Sequence, residues 1–290
     1  MLRSRPLFDN WDLGGGTDAF AGFTSSRARE MFLPLDSGIN DSDANNFISG
    51  AGITDNFQKV VIHELVKNLK LYNLWDKLLV AYPFIGGTAA RHGFNLKDYT
   101  TFNASFVNSP THNSLGTTFN GSNQYMNTLF NPLSRNVNPR DCGMSIYLTA
   151  TTQGYCGADG ANDEYLLLGS NATQRVIGMC CSRSIAAVTP IIDVSITSGF
   201  QLCSRQGDIQ FVMRNKHLVS RYDQDPLTGK APNRNLYVGC RNSAGTPTTY
   251  HNGTVRWFAA STGLTHNEAI TLNKVIQRYQ ERLGRAVYNN

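Results

Sequence analysis

The chain opens on about fifty residues in which apolar and polar positions follow neither a helical nor a strand period. Phe8, Trp11, Phe20, Phe23, Met31, Phe32, Leu33 and Phe47 are scattered through Gly, Asp and Ser, including the run Gly14, Gly15, Gly16. So many apolar side chains need a surface to bury them, so residues 1–52 read as an irregular N-terminal docking arm. At Thr54 the pattern changes. Phe57, Val61, Leu65, Leu69 and Trp75 recur near the helical period behind Asp55 and Gln58, which are spaced as a capping pair. This predicts one long or two short helices over 54–79, a helical linker within residues 53–82. Pro83, Gly86 and Gly87 end that pattern. Short strand-like runs then follow at 117–119, 144–150, 165–169, 175–181, 208–213, 236–240 and 254–260, separated by Asn, Gly and Pro turns. Runs spaced in this way predict an antiparallel sandwich or barrel over residues 83–264. Residues 265–290 carry a last helix, opened by Thr265 and Glu268 as a capping box and stopped by Gly284. Its stripe of Leu272, Ile276, Tyr279 and Leu283 is expected to pack on the β body.

Composition sharpens the β reading. The 290 residues include 28 Asn and 26 Gly but 5 Glu, a bias toward turns that accept left-handed backbone and away from helix. Charge changes little: 26 Lys+Arg against 21 Asp+Glu gives +5, spread along the chain, so nucleic-acid binding gains almost nothing from it. No stretch approaches the roughly 18 uninterrupted apolar residues of a membrane-spanning helix, so membrane insertion is not expected. The N-terminal run 1–12 lacks the apolar core of a secretory signal. Cys142, Cys156, Cys180, Cys181, Cys203 and Cys240 are therefore expected as buried thiols. Asn103, Asn120, Asn171 and Asn252 stand in glycosylation sequons and read as turn asparagines.

The candidate chemistry is thin. A glycoside hydrolase needs two carboxylates about 5 to 9 Å apart across one sugar, and no strand here presents them at alternate positions. Glu164 stands alone in the middle of the chain beside Asp163, and neighbours on a strand face opposite ways. His63 and Glu64 begin an HExxH-like string, but Lys67 occupies the second histidine position, which excludes a zinc protease on ligand count. His92, His112, His217, His251 and His266 stand far apart in the sequence among polar residues and read as surface or turn histidines. The loop 158–169 gathers Asp159, Asn162, Asp163 and Glu164, oxygen-bearing side chains of the kind that hold calcium or sugar hydroxyls at sandwich edges. It lacks EF-hand spacing. No other cofactor is indicated.

Three strings, YPFIGGTAARHGFNLKD (82–98), GTTFNGSNQYMNTLFNP (116–132) and NRNLYVGCRNSAGTP (233–247), together with the last helix, resemble the concanavalin A-like, laminin-G-like jelly rolls of bacteriophage tail and fibre proteins. The resemblance covers residues 55–287. Its FNGSNQYMNT element looks like the opening hairpin of that family, a strand, an Asn-Gly turn and a second strand. The resemblance implies a mainly β, antiparallel jelly-roll sandwich, with a helix before it and a C-terminal helix packed on it. It also implies a noncatalytic structural component of a bacteriophage virion, made in the host cytoplasm, in a tail, fibre or capsid appendage. The arm would dock on other virion proteins, and the module would form a homo-oligomer. The alternative is a carbohydrate-binding adhesin that touches host surface glycan, with a glycan hydrolase as a distant third, because proteins alike in this way include lectins and glycosidases.

Overall fold

Asp41 accepts hydrogen bonds from the backbone of Asp43 and Ala44 and so caps α1 (Ser42–Gly50). Asp55 caps α2 (Asn56–Leu71) through Gln58 N at 2.8 Å, the pair read from the sequence. These helices come from a computed structural model that describes residues 40–149, 154–160, 164–170, 176–181, 198–223 and 229–287. Phe8, Trp11, Phe20, Phe23, Met31, Phe32 and Leu33 lie outside that set.

The end of the predicted arm is corrected. Ala44, Phe47 and Ile48 of α1 pack in one core cluster with Val61, Ile62 and Leu65 of α2, and Phe47 is 1% exposed. Phe47 is a core residue, whose burial stabilises the fold by about 1.5–3 kcal/mol, and not a docking residue. The linker is corrected too. After a single 3-10 turn at Trp75–Lys77, residues Leu78–Tyr82 form strand β1 at the end of the segment read as a helical linker.

The short strands β2 (Ser105–Val107), β3 (Thr111–Asn113), β4 (Gly116–Asn120) and β5 (Tyr125–Asn127) follow the four-residue helix α3 (Ala89–His92). Longer strands come next: β6 (Asp141–Leu148), β7 (Gly154–Asp159), β8 (Tyr165–Ser170), β9 (Val176–Cys180), β10 (Gly199–Gln206), β11 (Ile209–Arg214) and β12 (His217–Tyr222). The set is completed by β13 (Tyr237–Val238), β14 (Arg241–Ser243), β15 (Thr246–Thr248) and β16 (Asn252–Ser261), before helix α4 (His266–Arg282). One sheet runs β12-β11-β10-β6-β16-β4-β3, with β1 also paired to β16. The other runs β15-β14-β7-β13-β5-β2, with β8 on β7 and β9 beyond it. Pairing is antiparallel except between β14 and β7. The fold is the mainly β, two-sheet sandwich with flanking helices that the sequence predicts.

The expected opening hairpin is not a hairpin. β4 belongs to the first sheet and β5 to the second, so the Asn-Gly turn between them crosses from one layer to the other. Asn120 Oδ1 accepts from the backbone of Ser122, Asn123 and Gln124 at 3.0 to 3.3 Å, and Gly121 takes φ +73°, a left-handed value open to glycine.

Two cores explain the strand patterns. Cys142, Met144, Ile146 and Leu148 of β6 point between the sheets, while Tyr147 points to the helices. The central strands of the first sheet, β6, β10 and β16, are therefore buried on both faces. Helix α4 carries the predicted capping box, with Gly284 at φ +64° beyond its end. It lays Leu272, Ile276 and Tyr279 on that sheet. Past it, Arg285 is buried with its guanidinium on the carbonyls of Pro83, Phe84 and Arg256 at 2.7 to 3.1 Å, and its Nε on Gln280 Oε1 at 2.7 Å.

Candidate functional site

Asp159, the first member of the predicted ligand loop, is the last residue of β7 and not a loop residue. Its side chain is 6% exposed, and it takes a bidentate fork from Arg241, Nε to Oδ1 at 2.6 Å and Nη2 to Oδ2 at 2.7 Å. Ser243 Oγ adds a third bond at 3.3 Å. Both Asp159 oxygens are thus engaged by protein donors. The ion pair also raises the Arg241 pKa, chiefly through its hydrogen bond to Asp159. Glu164 is half-buried and accepts Gly160 N at 2.8 Å through its backbone carbonyl. Asn162 and Asp163 lie outside the described residues. Among the described residues, no group of three or more His, Cys, Asp or Glu is placed to hold a metal ion.

The Arg241–Asp159 pair instead belongs to a face that register builds from distant parts of the chain. On β7, Cys156 and Ala158 enter the inter-sheet core, so Tyr155 and Asp159 face outward. Tyr165 is the cross-strand partner of Asp159, and Ser243 lies opposite Asp159 on the other side, with Arg241 two residues earlier on the same face. Tyr237 pairs with both Gly157 and Asn127, and Tyr125, two residues from Asn127, reaches it diagonally. The Tyr125 and Tyr237 rings stack at 4.6 Å between centroids and 29° between planes. Tyr125, Tyr155, Tyr165, Tyr237 and Arg241 are all half-buried. Burial raises the Tyr155 and Tyr237 pKa values, so these hydroxyls stay protonated and donate. The outer face of the second sheet thus offers flat aromatic surface beside a guanidinium fixed by its own carboxylate. That arrangement can stack on a sugar ring and hydrogen-bond its hydroxyls.

The histidines depart from their sequence reading. His92 and His112 are brought together, Nδ1 to Nδ1 at 3.0 Å, with Thr117 Oγ1 at 2.9 and 3.0 Å from the two nitrogens. His92 and His251 are buried, not surface residues. Burial, His112 and Arg285 push the His92 pKa down to about 3, and burial takes His251 down to about 4. Both are neutral parts of the structure and not acid–base groups at neutral pH. All six cysteines are buried with free thiols, in line with the sequence reading.

No protein-family model matches this chain, and no curated protein matches it. Solved structures do resemble it. A Trypanosoma rangeli sialidase variant displaying trans-sialidase activity is 12% identical at a TM-score of 0.51, covering 78% of this chain and 40% of that one. Domain 4 of the GH43 extracellular arabinanase AbnA from Geobacillus stearothermophilus is 13% identical at 0.44, covering 68% and 98%. The Ruminococcus gnavus IT-sialidase CBM40 is 11% identical at 0.38, covering 54% and 95%. The chain spans about 40% of the length of the sialidase it matches. At such identities the likeness is one of fold alone.

Proposed function

We propose that this chain is a noncatalytic carbohydrate-binding sandwich that recognises glycan through the outer face of its second sheet. The observation that carries the reading is the convergence of Tyr125, Tyr155, Tyr165 and Tyr237 beside the Arg241–Asp159 pair on that one face. The committed state of Asp159 supports binding over hydrolysis, because two-carboxylate chemistry on this face would need that group free. Tyr237→Ala and Tyr125→Ala should each weaken binding on a glycan array about tenfold, for the loss of one stacking surface. The chain should release no reducing ends from any glycan it binds. Unchanged binding in both variants would refute the face. Turnover that disappears in Glu164→Gln would instead establish a hydrolase.

In this reading the module is displayed on a bacteriophage particle, as a tail, fibre or appendage component, and the aromatic-rich segment before Asn40 docks it on its virion neighbours. The support is the sequence resemblance together with the count of apolar side chains in that segment. Because α1 belongs to the core, the informative deletion is residues 1–39. The shortened chain should stay soluble, melt within a few degrees of the full chain and fail to assemble with its partner. Assembly retained without those residues would end the docking proposal.

A further inference from the structure

The inter-sheet core holds a string of thiols, and Cys142 and Cys181 make one close sulfur contact within it. Cys156 and Cys203 direct their S–H groups to the carbonyls of Leu168 and Leu167 on β8, at 3.1 and 3.6 Å. Cys142 and Cys181 face each other, Sγ to Sγ at 3.4 Å, with Cys142 Sγ also 3.8 Å from the Pro139 carbonyl, and both are fully buried. Cys142 lies on β6 of the first sheet, and Cys181 immediately follows β9 of the second, 39 positions away in sequence. A covalent bond between them would tie the two layers together. It would require the sulfurs to close from 3.4 Å to the roughly 2.0 Å of a disulfide.

We infer that Cys142 and Cys181 are a cross-sheet disulfide site, formed when a peroxide reaches the core. The peroxide supplies the oxidising equivalents. Cys142 gives up its proton, and the resulting thiolate attacks one peroxide oxygen. The O–O bond breaks, leaving a sulfenic acid on Cys142 and a hydroxide that takes up the released proton as water. The Cys181 sulfur then attacks the Cys142 sulfur, and the sulfenic hydroxyl leaves with the Cys181 proton as a second water. In sum, two thiols and one peroxide become one disulfide and two waters. The surroundings assign these roles. Hydrogen bonds from Cys180 and Cys181 and the nearby Arg205 guanidinium hold the Cys142 thiol below the usual thiol range, whereas Cys181 is pushed up by its hydrogen bond to Cys142 and by burial. The attacking thiolate is therefore on β6 and the resolving thiol on the other sheet.

The experiment treats the folded full chain with hydrogen peroxide, denatures it, alkylates with iodoacetamide and maps the peptides by mass. Four alkylated cysteines in place of the six free ones, and a single cross-linked peptide joining 142 to 181, are expected. The melting temperature should rise by several degrees, because the bond closes a long loop in the unfolded chain, and dithiothreitol should reverse the rise. Cys181→Ser should abolish the link and Cys203→Ser should keep it. If Cys181→Ser does not fold, the wild-type peptide map decides alone. Six alkylatable thiols after oxidation, a link between any other pair, or Cys142 recovered as sulfinic acid would each overturn the assignment.

Discussion

Arg285→Ala should destabilise the chain by about 3–5 kcal/mol, read as a lower urea midpoint at unchanged slope and a melting temperature reduced by roughly 10 °C. The guanidinium donates to Pro83, Phe84 and Arg256 carbonyls and to Gln280, all buried with it. Truncation would leave the Phe84 carbonyl and Gln280 Oε1 without these donors, at about 1–3 kcal/mol each before relaxation, while Pro83 O keeps the Tyr279 hydroxyl at 2.9 Å and Arg256 O keeps Gln280 Nε2 at 3.3 Å. An opposing term keeps the total below the simple sum. Burial lowers the Arg285 pKa, so the charge itself is costly where it sits, and its removal recovers part of the loss. Arg285→Lys should restore little, since an ammonium cannot reproduce a planar fork aimed at several carbonyls. A change under about 1 kcal/mol in Arg285→Ala would mean that this network does not fasten the C-terminal helix.

The second large effect is acid sensitivity in the histidine range. His92 and His251 bind a proton more weakly when folded, at about 3 and about 4 against 6.5 for the free side chain. The stability tied to each is fully present above the unfolded value and drains as pH falls through it toward the folded value. Each contributes about 1.4 kcal/mol per pH unit inside that window, so the two together should remove roughly 5 kcal/mol between about pH 7.5 and 4.5. The geometry gives the same sign. His92 Nε2 accepts Gly87 N at 3.2 Å, so a second ring proton would break that bond while adding charge beside His112 and Arg285. Glu268, lowered from 4.5 and stabilised by Lys77 and the capping-box contacts against the cost of burial, is lost only below that range. Urea midpoints that stay level from pH 7.5 to 4.5 would refute the prediction.

Legibility in the sequence followed chain locality. The caps at Asp55 and Thr265 were readable because each side chain and its partner stand three positions apart. Helix α1 was also written in the sequence, as Ala44, Phe47, Ile48 and Ala51 at helical spacing, but the flanking Gly, Asp and Asn made it look like more arm. Residues 78–82 misled for a different reason: a strand buried on both faces shows no alternation, so its apolar run continues the helical stripe. The candidate face was the hardest to see. Tyr125, Tyr155, Tyr237 and Arg241 come from four strands, three of them only two or three residues long, and nothing local joins them. The alternation Tyr155, Cys156, Ala158, Asp159 was the available signal. Asp159 was singled out for its oxygens, whereas its partner Arg241 decides what it does.

The pairing of β1 with β16 has a bearing on how the chain is made. Leu78 lies opposite Ser261, and β16 also hydrogen-bonds β4 and β6. A nascent chain leaving the ribosome thus holds β1, β4 and β6 without the strand that unites them until β16 emerges. The first sheet can close only after residue 261 emerges. In the interval the half-built sheet exposes open strand edges, so yield should be set by association between unfinished chains and improve when synthesis is slowed or cooled.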